Sequence, residues 1–113
     1  MFPRINRLTK KRDIDRVFRK GKRSAAGFVF CNALAGRSTT SRFTVIIGTK
    51  SGLKATGRNL FKRRARASII NNIDRIPAGT DMIIGVRGRF EKVPKQAEIA
   101  ENIEKCLSQL RLS

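Results

Sequence analysis

The chain has 113 residues, of which 26 are Lys or Arg and 8 are Asp or Glu, giving a formal net charge of +18 with no histidine. A chain of this length makes one domain, residues 1–113, and its 40% apolar residues are enough for a core. The missing histidine excludes an imidazole general base, a Ser-His or Cys-His nucleophile pair and any His-containing zinc site, and with them most protein-based hydrolysis.

So dense a positive charge attracts polyanions, and nucleic acid is the expected partner. The charge is uneven, because residues 1–90 hold 22 basic and 4 acidic side chains while residues 91–113 hold four of each. Cys31 and Cys106 have no CxxC spacing and read as buried thiols rather than a disulfide. No run approaches the roughly 20 apolar residues of a membrane span. Met1-Phe2-Pro3-Arg4 lacks the apolar stretch of a signal peptide. A cytoplasmic protein with no membrane partner is therefore expected.

In chain order, Thr9 can cap a helix over 10–20 in which Ile14, Val17 and Phe18 fall at i, i+3 and i+4, with Gly21 as its stop. Residues 27–34 and 42–49 are rich in β-branched and aromatic types and predict two strands, joined as a hairpin by the polar loop 36–41. In the second strand Phe43, Val45 and Ile47 share a packed face, whereas Arg42, Thr44 and Ile46 make a mixed face that could meet a ligand. Residues 55–71 predict a helix, and Arg58, Asn59, Lys62, Arg63 and Arg66 fall within an arc of about 140°. Leu60, Phe61, Ala65 and Ala67 lie largely opposite, with Arg64 as an imperfection on the apolar side. Residues 80–86 predict a buried strand, parallel to the one before the helix. Pro94 suits the first turn of a last helix, whose stripe is Ile99, Ile103, Cys106, Leu107 and Leu110.

The densest charge lies in Arg58-Asn59-Leu60-Phe61-Lys62-Arg63-Arg64-Ala65-Arg66, and no acidic residue between Asp15 and Asp74 relieves it. Phosphate binding is the chemistry this favours. Lys50 and Lys54 extend the field, and Gly48, Gly52 and Gly57 would let backbone N–H groups approach phosphates. Phe18, Phe28 and Phe30 stand near Arg16, Arg19, Lys20, Lys22 and Arg23, and any that are exposed could stack unpaired bases. No paired carboxylates suit a two-metal nuclease site, since Asp13 and Asp15 point different ways on their helix, and no metal ligands are assigned.

The order of these pieces, Asp13-Ile14-Asp15-Arg16-Val17-Phe18-Arg19-Lys20-Gly21, then Phe28-Val29-Phe30, then Lys50 and the Arg58–Arg66 motif, resembles the protein subunit of bacterial ribonuclease P. The resemblance implies a small α/β (α+β) fold of the ribosomal-protein-like type, with a central mixed sheet and a left-handed βαβ crossover, where physical rules alone give a right-handed one. It implies a non-catalytic subunit of an endoribonuclease whose RNA carries the chemistry, holds Mg²⁺ and removes the 5′ leader of precursor tRNA. Arg58, Asn59, Lys62, Arg63 and Arg66, with Lys50 and Lys54, would bind RNA. Phe18, Phe28, Arg16 and Lys22 would line the leader groove. The partners implied are the catalytic RNA and precursor tRNA, with no protein partner required. Departures are Ile14 where the family has an aromatic, Cys31 where it often has tyrosine, and Leu60 and Arg64, which look like a swap across one helical turn. The alternatives are a small ribosomal or general RNA-binding protein, and a membrane-active cationic protein.

Overall fold

The structure, a computed structural model, describes residues 7–36 and 39–110. The Met1-Phe2-Pro3-Arg4 stretch and residues Arg37 and Ser38 of the polar loop lie outside the described residues.

Helix α1 runs Lys11–Lys20, and its N-cap is Lys10 rather than Thr9, with no side-chain capping bond. Gly21 ends it in an extended conformation, its N–H donating to the Val17 carbonyl at 2.9 Å. The need for glycine there is spatial: a Cβ would sit 2.6 Å from the Val17 oxygen and 2.8 Å from the Ala33 oxygen. Strands β1 (Lys22–Ala26) and β2 (Val29–Ala35) form an antiparallel hairpin through Gly27 and Phe28, where Gly27 takes φ 57°. Then come β3 (Arg42–Ile46), α2 (Ala55–Asn71), β4 (Thr80–Val86) and α3 (Gln96–Leu110).

The sheet order is β1-β2-β4-β3, with β4 antiparallel to β2 and parallel to β3. The parallel pair matches the sequence expectation; the hairpin between 27–34 and 42–49 does not form. The reason is β4, whose first six residues are all buried, so it takes the central position with a strand on each side and displaces β3 to the edge. The hairpin partner of β2 is instead β1. Lys22-Arg23-Ser24-Ala25-Ala26 carries neither β-branched nor aromatic residues and so gave no strand signal.

The two sheet faces are covered unequally. Helices α2 and α3 close one face, with Phe61, Ala65, Ile69, Ile99 and Ile103 packed on Val29, Phe43, Val45, Met82 and Ile84. Cys31 and Cys106 are free and buried in this core. Hydrogen bonding with Cys106, together with burial, pushes the Cys31 thiol up, which keeps it neutral. On the other face α1 makes a smaller core of Leu8, Val17 and Ile83.

The small core is locked by a buried carboxylate. Asp81, fully buried, accepts from Arg42 Nε at 2.9 Å and Nη2 at 2.7 Å, a bidentate pair, and from Arg16 Nη2 at 3.4 Å. Arg42 Nη1 also reaches Asp13 at 3.3 Å, so α1, β3 and β4 meet in one network. Gly36 makes room for it, since a Cβ there would lie 2.8 Å from Asp81 Oδ1. Asp81→Ala would remove the bidentate partner of part-buried Arg42, leaving it only the longer contact to Asp13, and would take away the carboxylate that Arg16 faces; it should cost about 3–5 kcal/mol in urea unfolding. A change within about 0.5 kcal/mol, the range of an ordinary surface substitution, would show that the network carries no stability.

Candidate nucleic-acid interface

Helix α2 has the bounds its sequence predicts and buries Phe61, Ala65, Ser68 and Ile69. Leu60 and Ala67, expected on the buried side, are half-buried. Arg58, Lys62 and Arg66 are half-buried along one flank, and Asn59 and Arg63 are exposed. The Arg58 guanidinium is oriented by donating to the Leu53 carbonyl at 2.7 Å. No residue of α2 forms an ion pair among the described residues.

Arg64 leaves by the opposite flank. Its Nη1 donates to the Pro94 carbonyl at 2.6 Å, while Gln96 Nε2 donates back to the Arg64 carbonyl at 2.8 Å. The apparent flaw in the apolar side is thus a tie between α2 and the head of α3. Pro94 precedes that helix instead of forming its first turn.

Lys50 and Lys54 are exposed in the segment joining β3 to α2, where Gly52 takes φ 80°. The segment after β4 docks on it: the Phe90 N–H donates to the Ser51 carbonyl at 2.8 Å, and Arg89 lies beside Gly52. Arg87 Nε donates to the Gly27 carbonyl at 3.0 Å. Arg87 and Arg89 therefore join Lys50 and Lys54 beyond the carboxyl ends of the parallel strands, a position where α/β sheets often bind ligands. The sequence reading missed both arginines; the signal available was an Arg-Gly-Arg directly after a buried strand.

The α1 side of the sheet is left open at this same end. One row there is Ala25, Phe30, Gly85 and Ile46, in register across all four strands. Any Cβ at residue 85 would collide with the Phe30 ring, so glycine lets that ring lie against β4. The Arg23 guanidinium sits over the ring at 5.3 Å, a cation–π geometry. Ile46 is 37% exposed and Phe18 42% exposed.

Of the four residues expected to line a leader groove, the structure leaves only Phe18 as an exposed ring. Phe28 lies in the β1–β2 turn, outside the strand alternation, and packs edge-on against Phe61 at 5.9 Å and Phe90 at 5.3 Å on the α2 side. Arg16, about 200° around α1 from Phe18, turns to Asp81. Lys22 pairs with Ala33 at the far end of the sheet and, with Lys20, edges a hollow beside the 77–79 turn. The open face has Phe30, Arg23 and Ile46 instead.

Phe18→Ala should leave thermal stability nearly unchanged, whereas Phe61→Ala in the core should cost about 3–5 kcal/mol. Equal losses in paired melting curves would place Phe18 in the core instead.

A four-stranded mixed sheet with one open face, flanked by a helix that carries an unpaired cationic flank, defines a small basic α+β protein built to meet a polyanion. The family model described as Ribonuclease P matches residues 2–111, and the chain belongs to that family. It is 36% identical over 93 residues to the ribonuclease P protein component of Clavibacter michiganensis subsp. michiganensis, covering 81% of each chain. It is 26% identical over 113 residues to that of Pseudanabaena sp., covering 99% of this chain and 97% of the relative. Solved ribonuclease P proteins share the fold. The Staphylococcus aureus protein has TM-score 0.83 at 22% identity, covering 95% of this chain and 96% of that one. The Thermotoga maritima protein has TM-score 0.77 at 24% identity, covering 93% and 97%.

Proposed function

We propose that this chain is the non-catalytic protein subunit of a tRNA 5′-processing ribonucleoprotein, docking α2 on the catalytic RNA and offering its open sheet face to the 5′ leader of precursor tRNA. The observation that carries this reading is the flank of Arg58, Asn59, Lys62, Arg63 and Arg66, unrelieved by any carboxylate, in a chain of this family. The four cations among them would neutralise phosphates of the catalytic RNA, and the Asn59 amide would hydrogen-bond beside them. Lys50, Lys54, Arg87 and Arg89 would hold the leader backbone at the carboxyl end of the sheet, while Phe18, Phe30 and Ile46 would meet its bases.

The contribution to cleavage is then positioning and charge neutralisation, with bond breaking left to the RNA. Among the described residues no group of three or more Cys, Asp or Glu is placed to hold a metal ion. Mg²⁺ in this reading belongs with the RNA subunit.

Arg58→Ala, Lys62→Ala and Arg66→Ala should each weaken binding to a bacterial ribonuclease P RNA. Each should also flatten the log–log salt dependence by about 0.7–0.9 per lost phosphate contact. Unchanged slopes in all three would remove α2 from the interface.

A further inference from the structure

Among the described residues, four large apolar side chains stand out as exposed: Phe18, Ile46, Ile70 and Ile73. The first two belong to the α1 side described above. Ile70 lies in the last turn of α2 and Ile73 in the short turn just past it, and neither phosphate binding nor core packing accounts for them. There Arg63, Arg66, Ala67, Ile70 and Asn71 line a hollow of about 300 Å³. Their spacing of i, i+3, i+4, i+7 and i+8 gathers them on the outward face of the helix.

The hollow has an apolar floor, Ala67 and Ile70, and a rim of two guanidiniums and one amide. A phosphate would be served by the guanidiniums and gain nothing from an exposed isoleucine. A nucleobase uses all of it, because its faces stack on a planar guanidinium and an apolar side chain while its edge pairs with an amide that both donates and accepts. Charge selects the same occupant. Helix α2 contains no carboxylate, the nearest one beyond its end is the exposed Asp74, and neither Arg63 nor Arg66 has an ion-pair partner among the described residues.

We propose that this hollow receives one unpaired nucleobase of the RNA on which α2 docks. The inference rests on the reading of α2 as an RNA-binding helix and adds a base-binding site to it.

The chain has no Trp and no Tyr, so Ile70→Trp would place a lone indole on the floor of the hollow. Its fluorescence would be followed as a bacterial ribonuclease P RNA is added, beside a Glu101→Trp control on the exposed side of α3. Stacking predicts quenching at position 70 and none at position 101. Ile70→Ala should weaken binding roughly fivefold or more, the scale of losing one or two buried CH₂-sized apolar contacts to the base. Its salt slope should be unchanged because no phosphate contact is removed. An unquenched indole and unchanged Ile70→Ala affinity, with the RNA bound at the wild-type slope, would overturn the base site and leave the RNA-binding reading standing. Failure of the wild-type chain to bind the RNA would overturn both.

Discussion

The buried carboxylate of Asp81 sets the geometry of the α1 side of the molecule. A charge removed from water must be paired, and in a chain so rich in cations the partners are at hand. Asp81 takes Arg42 from β3 and Arg16 from α1 together. That clamps α1 across the end of the sheet where β3 and β4 begin. The row of Phe30, Gly85 and Ile46, toward the other end, is left without a helix above it, and the basic segments after β3 and β4 gather beside that opening. The open face is therefore a consequence of where one ion-pair network holds a short helix.

The remaining charge follows a similar division. Some arginines are spent on structure: Arg42 and Arg16 on Asp81, Arg64 on the Pro94 carbonyl, Arg75 on Asn72 and Ser108. Others, on the flank of α2, have no carboxylate to relieve them, and their mutual repulsion is a cost the free protein carries until a polyanion neutralises it. Net charge alone does not separate these two sets. The separation comes from which flank of each helix faces the protein.

How much of this was legible in the sequence depended on the range of the interactions involved. Helix α2 and strand β4 could be read to the residue, because a periodic apolar face and a continuous apolar run are local signals. The parallel neighbour of β4, β3, could also be read, but its antiparallel neighbour, β2, could not: the loop between β2 and β3 looked like a hairpin connection, and only the burial of β4 on both faces explains its insertion between them. Strand β1 was invisible because it is held by pairing with β2, not by its own propensity. At the site, the cationic flank of α2 was readable from its spacing, and the mixed face holding Ile46 from strand alternation. The placing of Phe28 against Phe61 and Phe90 was not legible, because parity along a strand fails in the turn before it. The pairing of Arg16 was not legible either, because its partner, Asp81, is far away in sequence.

The central claim is that this protein assists RNA-based cleavage without supplying the chemistry. It is tested most directly by single-turnover cleavage of a precursor tRNA by a bacterial ribonuclease P RNA at low Mg²⁺, with and without the protein. The account predicts faster cleavage when the protein is present and no cleavage by the protein alone. Cleavage by the protein without RNA, or no stimulation by a folded protein that binds the RNA tightly, would contradict it.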